Sequence, residues 1–434
     1  MLTYYFDLAL RSLKRNRALT ALMVLAIALG IGASMTTLTV LHVLSGDPLP
    51  GRSGSIYYPQ LDPLDMKDYT PGIEPPEQLT WTDGMYLLHS KRATRQALMT
   101  GGMVPLQPTQ SSIDPFQAVA LYTSTDFFPM FGVPFQYGTG WSEAEDNGKA
   151  RVVVITSALN DKLFGGKNSV GQILRLQESA FRIVGVLGDW HPNPHFYEWY
   201  MGRYASDEDV YLPLTTSRDL LMEHDGSTDC WGNGGGDPDH LETNNCTWLQ
   251  FWVQLDSPAS AAAYRDFLMH YSQDQRTAGR FMRPPNIRLR TMMQWLDYIK
   301  VVPSDTVLQT WLALGFLAVC LINTVGLMLA KFMRRSGELS VRRALGASQR
   351  AVFGQLLMES GVIGIAGGLS GWMLALLGLW LVRQQPANYA KLAHMDVTML
   401  LMTFALAVSA SLLAGLLPAW RACRITPALQ LKGN

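Results

Sequence analysis

Charge is scarce in this chain. Lys, Arg, Asp and Glu make up 16% of its 434 residues, against about 25% in a typical soluble protein, and the shortage is local. Ala18 to Val43, Thr306 to Ala330, Ser360 to Val382 and Val397 to Trp420 contain no charged residue at all. Each is long enough to cross a bilayer, which takes ~20 mostly apolar residues, so a protein with no membrane span is excluded. The first exceeds the ~7–15 residues of a cleaved signal's apolar region and reads as a retained signal anchor. An ion-coupled carrier is also disfavoured, because proton and ion pathways need ionisable groups at membrane depth. Glu359 lies only at the entrance to the third stretch.

Cysteine is equally sparse, with four in all. Cys320 falls in the second apolar stretch and Cys423 just after the fourth, and both are expected to be free thiols. Cys230 and Cys246 bound the segment "CWGNGGGDPDHLETNNC", whose Gly, Asp and Asn offer little apolar surface with which to order it. A disulfide closing such a loop contributes ~3 kcal/mol in the chain-entropy model, and this pair is expected to be bridged. The carboxylates there (Asp229, Asp237, Asp239, Glu242) lack the spacing of an EF-hand. Asn245-Cys246-Thr247 matches a glycosylation sequon, which carries little weight if the host is bacterial.

A catalytic constellation is missing too. His191 and His195 have a metal-like spacing, but the prolines of "HPNPHFYEW" make that stretch an extended loop. They read as surface or packing histidines, and no metal is expected. "FGGKNSVG" lacks the Ser or Thr that must follow the lysine of a phosphate loop, since Lys167 precedes Asn168. "GGLSG" at Gly367 to Gly371 lies inside an apolar stretch. The chain is therefore expected to hold no ATPase and no cofactor of its own, and to have no nucleic-acid partner.

What charge there is, is sorted. Thirteen basic and three acidic residues flank one set of span ends, whereas Leu44 to Asp305 carries 20 basic and 31 acidic residues. Excess Lys and Arg mark the cytoplasmic side, which puts both termini inside and the central segment outside. The expected organisation is a cytoplasmic amphipathic helix over 1–17, spans at 18–43, 306–330, 353–382 and 397–420, and an external domain over 44–305. A cytoplasmic segment then covers 331–352, a short external loop 383–396 and a cytoplasmic tail 421–434. The external domain reads as mixed α/β. "RVVVIT", "QAVALYTS" and "WLQFWVQL" are strand-like, and "QILRLQ" with "FRIVGVLGD" suggests a hairpin. "SALNDKLFGG" has helical spacing with Gly165 placed to end it; "TDFFPMFG" and "AAAYRDFLMHYSQ" also read as helices. Pro48 to Pro76, rich in Pro, Gly and Asp, gives no periodic signal and reads as loop.

Within the apolar stretches small residues recur at four-residue spacing: Ala26, Gly30 and Ser34, then Ser360, Gly364 and Gly368. Such seams let membrane helices approach closely. Asn323 is expected to hydrogen-bond across a helix interface.

The stretch "RSGELSVRRALGASQRAVFGQLLMESGVIGIAGGLSG" resembles the signature of the FtsX/MacB-type permeases of ABC transporters, with matches at Glu338, Arg342, Arg343, Ala344, Leu345, Gly346, Ala347 and Glu359. The preceding "CLINTVGLMLAKFMRRSGEL" is similar as well, as is "GLLPAWRACRITPALQLKG" at Gly415, Pro418, Ala422 and Pro427. The central segment from "STDFFPMFG" to "FRIVGVLGDW" is similar to a MacB-like periplasmic core domain. Ser340, often Gly in the family, and the long cysteine-bearing insertion depart from the pattern. The resemblance implies that Glu338, Arg342, Arg343, Leu345, Gly346 and Ala347 belong to a coupling helix that docks on a separate cytoplasmic ATPase, which supplies ATP and Mg. It implies two copies of the chain (or one with a paralogous permease), a possible periplasmic adaptor and outer-membrane channel, and lipid around the spans. The implied mechanism is mechanotransmission, in which the spans carry motion to the periplasmic domain without passing substrate. A non-transporting envelope sensor or scaffold, or a regulator of wall hydrolases, is the alternative.

Overall fold

The computed structural model describes residues 8, 11–12, 15–108, 113–200, 202, 204, 208–232, 240–385 and 394–424. Most of the expected helix over 1–17, much of the loop over 383–396, and Pro427 and Lys432 of the tail lie outside them. So do Asp237 and Asp239. The chain divides into two units, residues 46–301 and residues 1–45 with 302–434.

The chain begins with α1 (Arg17–Leu44) and enters the mixed unit through β1 (Ile56–Gln60) and β2 (Leu79–Thr80). Next come α2 (Trp81–Ser90), β3 (Arg95–Gln107), β4 (Phe116–Thr123), α3 (Phe127–Phe131), β5 (Phe135–Gly138) and α4 (Glu143–Asn147). β6 (Val152–Ile155), α5 (Ser157–Phe164), the hairpin β7 (Ile173–Leu176) and β8 (Ser179–Leu187), β9 (Val210–Pro213) and α6 (Leu214–Asp219) follow. The unit closes with β10 (His224–Asp225), β11 (Asp229–Cys230), β12 (Cys246–Gln254), α7 (Pro258–Thr277), β13 (Arg288–Thr291) and α8 (Met292–Tyr298). The remaining helices are α9 (Ser304–Arg334), α10 (Ser336–Ala344), α11 (Gln349–Arg383) and α12 (Val397–Arg424).

The strands share one sheet whose main path is β13-β1-β12-β3-β4-β9-β6-β8-β5, with β2 and β11 paired to β12, β10 to β3, and β7 to β3 and β8. Most neighbours are antiparallel, but β4 with β9 and β6 with β8 run parallel. Side chains alternate faces along a strand, and here both faces are buried. Val152 and Val154 enter one core while Val153 and Ile155 enter the other. That two-sided burial is why "VVVI" is an uninterrupted apolar run. α5 ends as its sequence demands, at Gly165 with φ 62, a conformation that glycine adopts without steric cost.

One expectation fails in this unit. The stretch Pro48 to Pro76 contains β1, which lies between β12 and β13. Its Pro59 conceals it, since proline donates nothing to a ladder. The strand tolerates Pro59 because pairing with β12 is confined to Ile56 and Tyr57, whereas residues 57–60 pair with β13. Tyr58, fully buried, stacks on Trp295 at 3.9 Å and meets Trp252 and Trp199 edge-on.

In the other unit, among the described residues, four helices are long and apolar enough to cross a membrane. α1 packs on α9 and α11, and α12 packs on α11 and α9. Met23, Ile27, Ile31 and Met35, one helical turn apart, form the face that α1 buries. Each of the four helices runs past the apolar stretch it contains. α9 continues through Lys331 to Arg334, and α11 starts at Gln349 because Ser348 caps it, accepting from the Ala351 N–H. Apolarity marks where the lipid core ends; the cap and the last hydrogen bond mark where the helix ends.

Candidate functional site

Of the expected coupling residues, Glu338, Arg342 and Arg343 lie on a separate short helix, α10, between α9 and α11, and Leu345, Gly346 and Ala347 follow in the turn after it. Gly346 ends that region with φ 100, and the N–H groups of Gly346 and Ala347 return to the Arg343 and Arg342 carbonyls. A residue with a Cβ is strained at that φ, so Gly346 sets the turn between α10 and α11. Leu345 is 83% exposed and Val341 is exposed one turn before it. Arg342 and Arg343, by contrast, are engaged within the chain. Arg342 donates to Gln355 Oε1 of α11 at 3.0 Å, and Arg343 donates to the Cys423 carbonyl of α12 at 3.0 Å. The two arginines thus hold α10 against two spans, and the apolar pair is what it presents outward.

Beneath α10 lies a buried ionic cluster that the apolar-run reading misses. Lys331 and Glu359, both 0% exposed, are in contact as an ion pair. Arg335 reaches Glu359 Oε2 at 3.4 Å, the Ser12 hydroxyl at 2.5 Å and Glu338 Oε2 at 3.3 Å. Ser12 donates to Glu359 Oε1 at 2.7 Å, and Arg15 donates to Glu338 at 2.8 Å. Partial burial works against the Glu338 charge, yet the Arg335 and Arg15 guanidiniums hold its carboxyl below the usual carboxylate range. Glu359 is therefore no mere entrance residue. The signal in the sequence was the set Lys331, Arg335 and Glu359 at the ends of two spans, legible only as topology until the helices are packed.

The residues singled out within the apolar stretches lie where helices meet, with one exception. A Cβ at Gly30 would come within 2.9 Å of Leu317 Cδ1 and 3.2 Å of Cys320 Cβ. Ser34, buried, donates to the Ala313 carbonyl of α9 at 3.0 Å, and Ala26 on the same face is half-buried. In α11 a Cβ at Gly364 would meet Ser411 Cβ at 2.5 Å, and one at Gly368 would meet Ala407 Cβ at 2.8 Å. Ser360 is buried on that seam and its carbonyl accepts from the Ser411 hydroxyl. A second α11 seam went unread: a Cβ at Gly367 or Gly371 would crowd Ile27 or Ile31 of α1. The exception is Asn323. It is exposed on α9, turned from the three other spans, because the helix spends its buried positions on Leu317, Cys320, Thr324 and Met328.

In the mixed unit Cys230 and Cys246 are joined by a disulfide and pair across β11 and β12; Cys320 and Cys423 are free and buried. Glu242 binds Arg218. No group of three His, Cys, Asp or Glu able to hold a metal occurs among the described residues. His191 is exposed beside Asp189, but His195 is buried, with Nε2 3.0 Å from Glu208 Oε1 and Nδ1 2.6 Å from the Glu198 carbonyl. Burial disfavours the imidazolium, but Glu208 outweighs it and lifts the His195 pKa to about 9. Tyr197 donates to the same carboxylate at 2.5 Å.

Four spans and a large mixed α/β unit between the first two define a multi-pass membrane protein. Residues 20–268 match the MacB-like periplasmic core domain and residues 311–427 the FtsX-like permease C-terminal. The chain belongs to this family of ABC-transporter permeases, and is an inner-membrane protein with a periplasmic domain. It is 23% identical over 434 residues to a pyoverdine export ATP-binding/permease protein of Pseudomonas aeruginosa, covering 96% of this chain and 56% of the relative. It is 25% identical over 314 residues to the protein of that description from Pseudomonas syringae, covering 71% and 42%. A macrolide export ATP-binding/permease protein of Vibrio parahaemolyticus is 24% identical over 302 residues, covering 70% and 41%. The chain spans about half the length of these curated relatives. The periplasmic region of MacB from Actinobacillus actinomycetemcomitans superposes with a TM-score of 0.37 at 13% identity, covering 59% of this chain and 99% of that one.

Proposed function

We propose that this chain is the permease subunit of an export machine driven by a separate cytoplasmic ABC ATPase. In this reading both termini and α10 are cytoplasmic, and the spans transmit motion to the periplasmic domain without conducting substrate. The observation that carries it is the disposition of α10. Arg342 and Arg343 tie the helix back to α11 and α12, leaving Val341 and Leu345 as an exposed apolar face. An isolated apolar projection of this kind suits insertion into a partner's groove, where a few buried side chains dominate binding. ATP and Mg are then held by the partner.

Two copies, or one with a paralogous permease, complete the assembly. Asn323 supports this, because a polar side chain at mid-span is better accommodated by a neighbouring helix than by lipid. The names of the relatives, pyoverdine and macrolide export, favour export across the envelope as the output, with a periplasmic adaptor and outer-membrane channel as candidate further partners.

The test is copurification with the ATPase from the native membrane. Leu345→Asp is expected to cut the ATPase recovered by tenfold or more, the scale of a ~2 kcal/mol hot spot. Charge reversal at Arg342 and Arg343 is expected to release it by letting α10 drift from α11 and α12. If the ATPase remains bound after deletion of residues 338–348, the coupling assignment is wrong.

A further inference from the structure

The ion cluster is costly to build unless it does something. Charged groups leave water at a penalty that pairing offsets only with good geometry. Here Lys331 and Arg335 are buried against one buried carboxylate, Glu359, while the other carboxylate in reach, Glu338, is partly exposed. A single guanidinium, Arg335, contacts both carboxylates, with Glu338 on α10 and Glu359 on α11. Ser12 and Arg15 bring the segment before α1 into the same network.

We propose that Arg335 is an ionic joint. It fixes α10 to the segment before α1 and to the ends of α9 and α11, so that a displacement of α10 is passed to them through Arg335 and Glu338. The inference rests on the coupling role given to α10 above and identifies the positioning residues within the chain. The fork geometry suits this, because a guanidinium can engage two carboxylates from separate elements at once. The Lys331–Glu359 pair supplies the fixed side, being wholly buried; Glu338, with Arg15 on its outer edge, supplies the side that moves. Arg342 and Arg343 meet an amide and a carbonyl at the far end of α10, whereas Glu338 at its first turn meets the guanidiniums of Arg335 and Arg15.

Arg335→Met leaves Lys331 and Glu359 as a balanced pair, and Glu338→Gln leaves the buried part untouched. Neither is therefore expected to unfold the bundle. The reporter is the full chain in lipid nanodiscs with spin labels at Ala18→Cys and Leu345→Cys, in a Cys320→Ser, Cys423→Ser background. The distance distribution between the labels should broaden at least twofold in each variant and no further in the double variant, since both remove one bridge. Arg335→Lys, which keeps the charge but loses the fork, should fall between. With the copurified ATPase, and with Leu345 and Ala18 unlabelled, Arg335→Met should still bind, because Val341 and Leu345 are untouched, but should lose about fivefold or more of the chain's effect on ATP hydrolysis, the lower range for coupling between sites. An unchanged distribution in both single variants overturns the joint. So does loss of helical circular dichroism in Arg335→Met with Glu338→Gln silent, which would make the cluster structural only. If the unmodified chain recovers no ATPase, the coupling proposal fails while the distance test stands on its own.

Discussion

In the periplasmic domain the largest fully buried side chains are aromatic, Trp248, Trp252, Trp295 and Tyr58 among them. Among the spans, helices crowd instead against glycines, Gly30, Gly364, Gly367, Gly378 and Gly415 among them. The solvent explains the difference. In water, stability grows with apolar area removed, and an aromatic side chain buries 150–250 Å². In a bilayer the lipid is as apolar as leucine, so large side chains gain little by leaving it, and helices associate by close packing and polar contacts. Polar groups divide in the same way. The domain satisfies its backbone in a sheet, whereas the span bundle uses side chains, Ser34 to Ala313 and Glu359 to three donors, to fix one helix against another.

The contrast can be broken most directly in the aromatic core. Trp252 is fully buried among Tyr58, Phe131 and Phe196, and Trp252→Ala should cost ~3–5 kcal/mol of domain stability. Near-ultraviolet circular dichroism of the full chain, followed through denaturation, reads the domain transition. A midpoint that does not move would show that the aromatic cluster is not what holds the sheet.

Overfilling a seam should matter less for stability but more for output. Gly30→Leu and Gly364→Leu introduce bulk where even a Cβ is crowded, at ~1–3 kcal/mol. Both variants should retain the ATPase, because α10 is untouched, and lose export. ATP hydrolysis and export measured side by side decide it, and unchanged export in both variants would refute the seams as moving contacts.

A smaller effect is set by pH. The folded His195 pKa, about 9, lies above the ~6.5 of an unfolded histidine. Its contribution is therefore complete below pH ~6.5 and disappears as pH rises through about 9. His195→Gln should accordingly be less stable than the parent at pH 6, with the gap narrowing steadily to pH 9.5. A gap that stayed constant with pH would mean that His195 is held neutral and only packs. The smallest change expected is Cys320→Ser, within ~0.5 kcal/mol, because a hydroxyl in mid-helix can donate to the carbonyl one turn back. A large loss of stability there would show that the α1–α9 seam depends on the thiol itself.

Much of this was legible beforehand, and the misses have definite causes. The hairpin of β7 and β8, the Gly165 stop and the Cys230–Cys246 bridge are local features whose residues lie within about one or two turns or one loop of each other. β1 was missed because its pattern is five residues long and interrupted by Pro59; pairing with β13, more than two hundred residues on, makes it a strand. His195 was read as an ordinary histidine because Glu208 and Tyr197 define its setting only once the loop folds over. The contacts of Arg342 and Arg343 with Gln355 and Cys423 depend on how α10 lies across α11 and α12, which no local pattern in the sequence encodes.

The sequence by itself determined four spans, the sorted charge and the mixed character of the domain, because hydropathy and periodicity are sums over neighbours along the chain. Tertiary structure alone decided which seam meets which helix, why Asn323 faces outward, and that Glu359 gathers Ser12, Lys331 and Arg335 around one carboxylate. Ser12 and Glu359 are 347 residues apart. A charge beside a span is consistent with facing either water or another charge, and the energy that separates those outcomes comes only from groups that folding brings into contact.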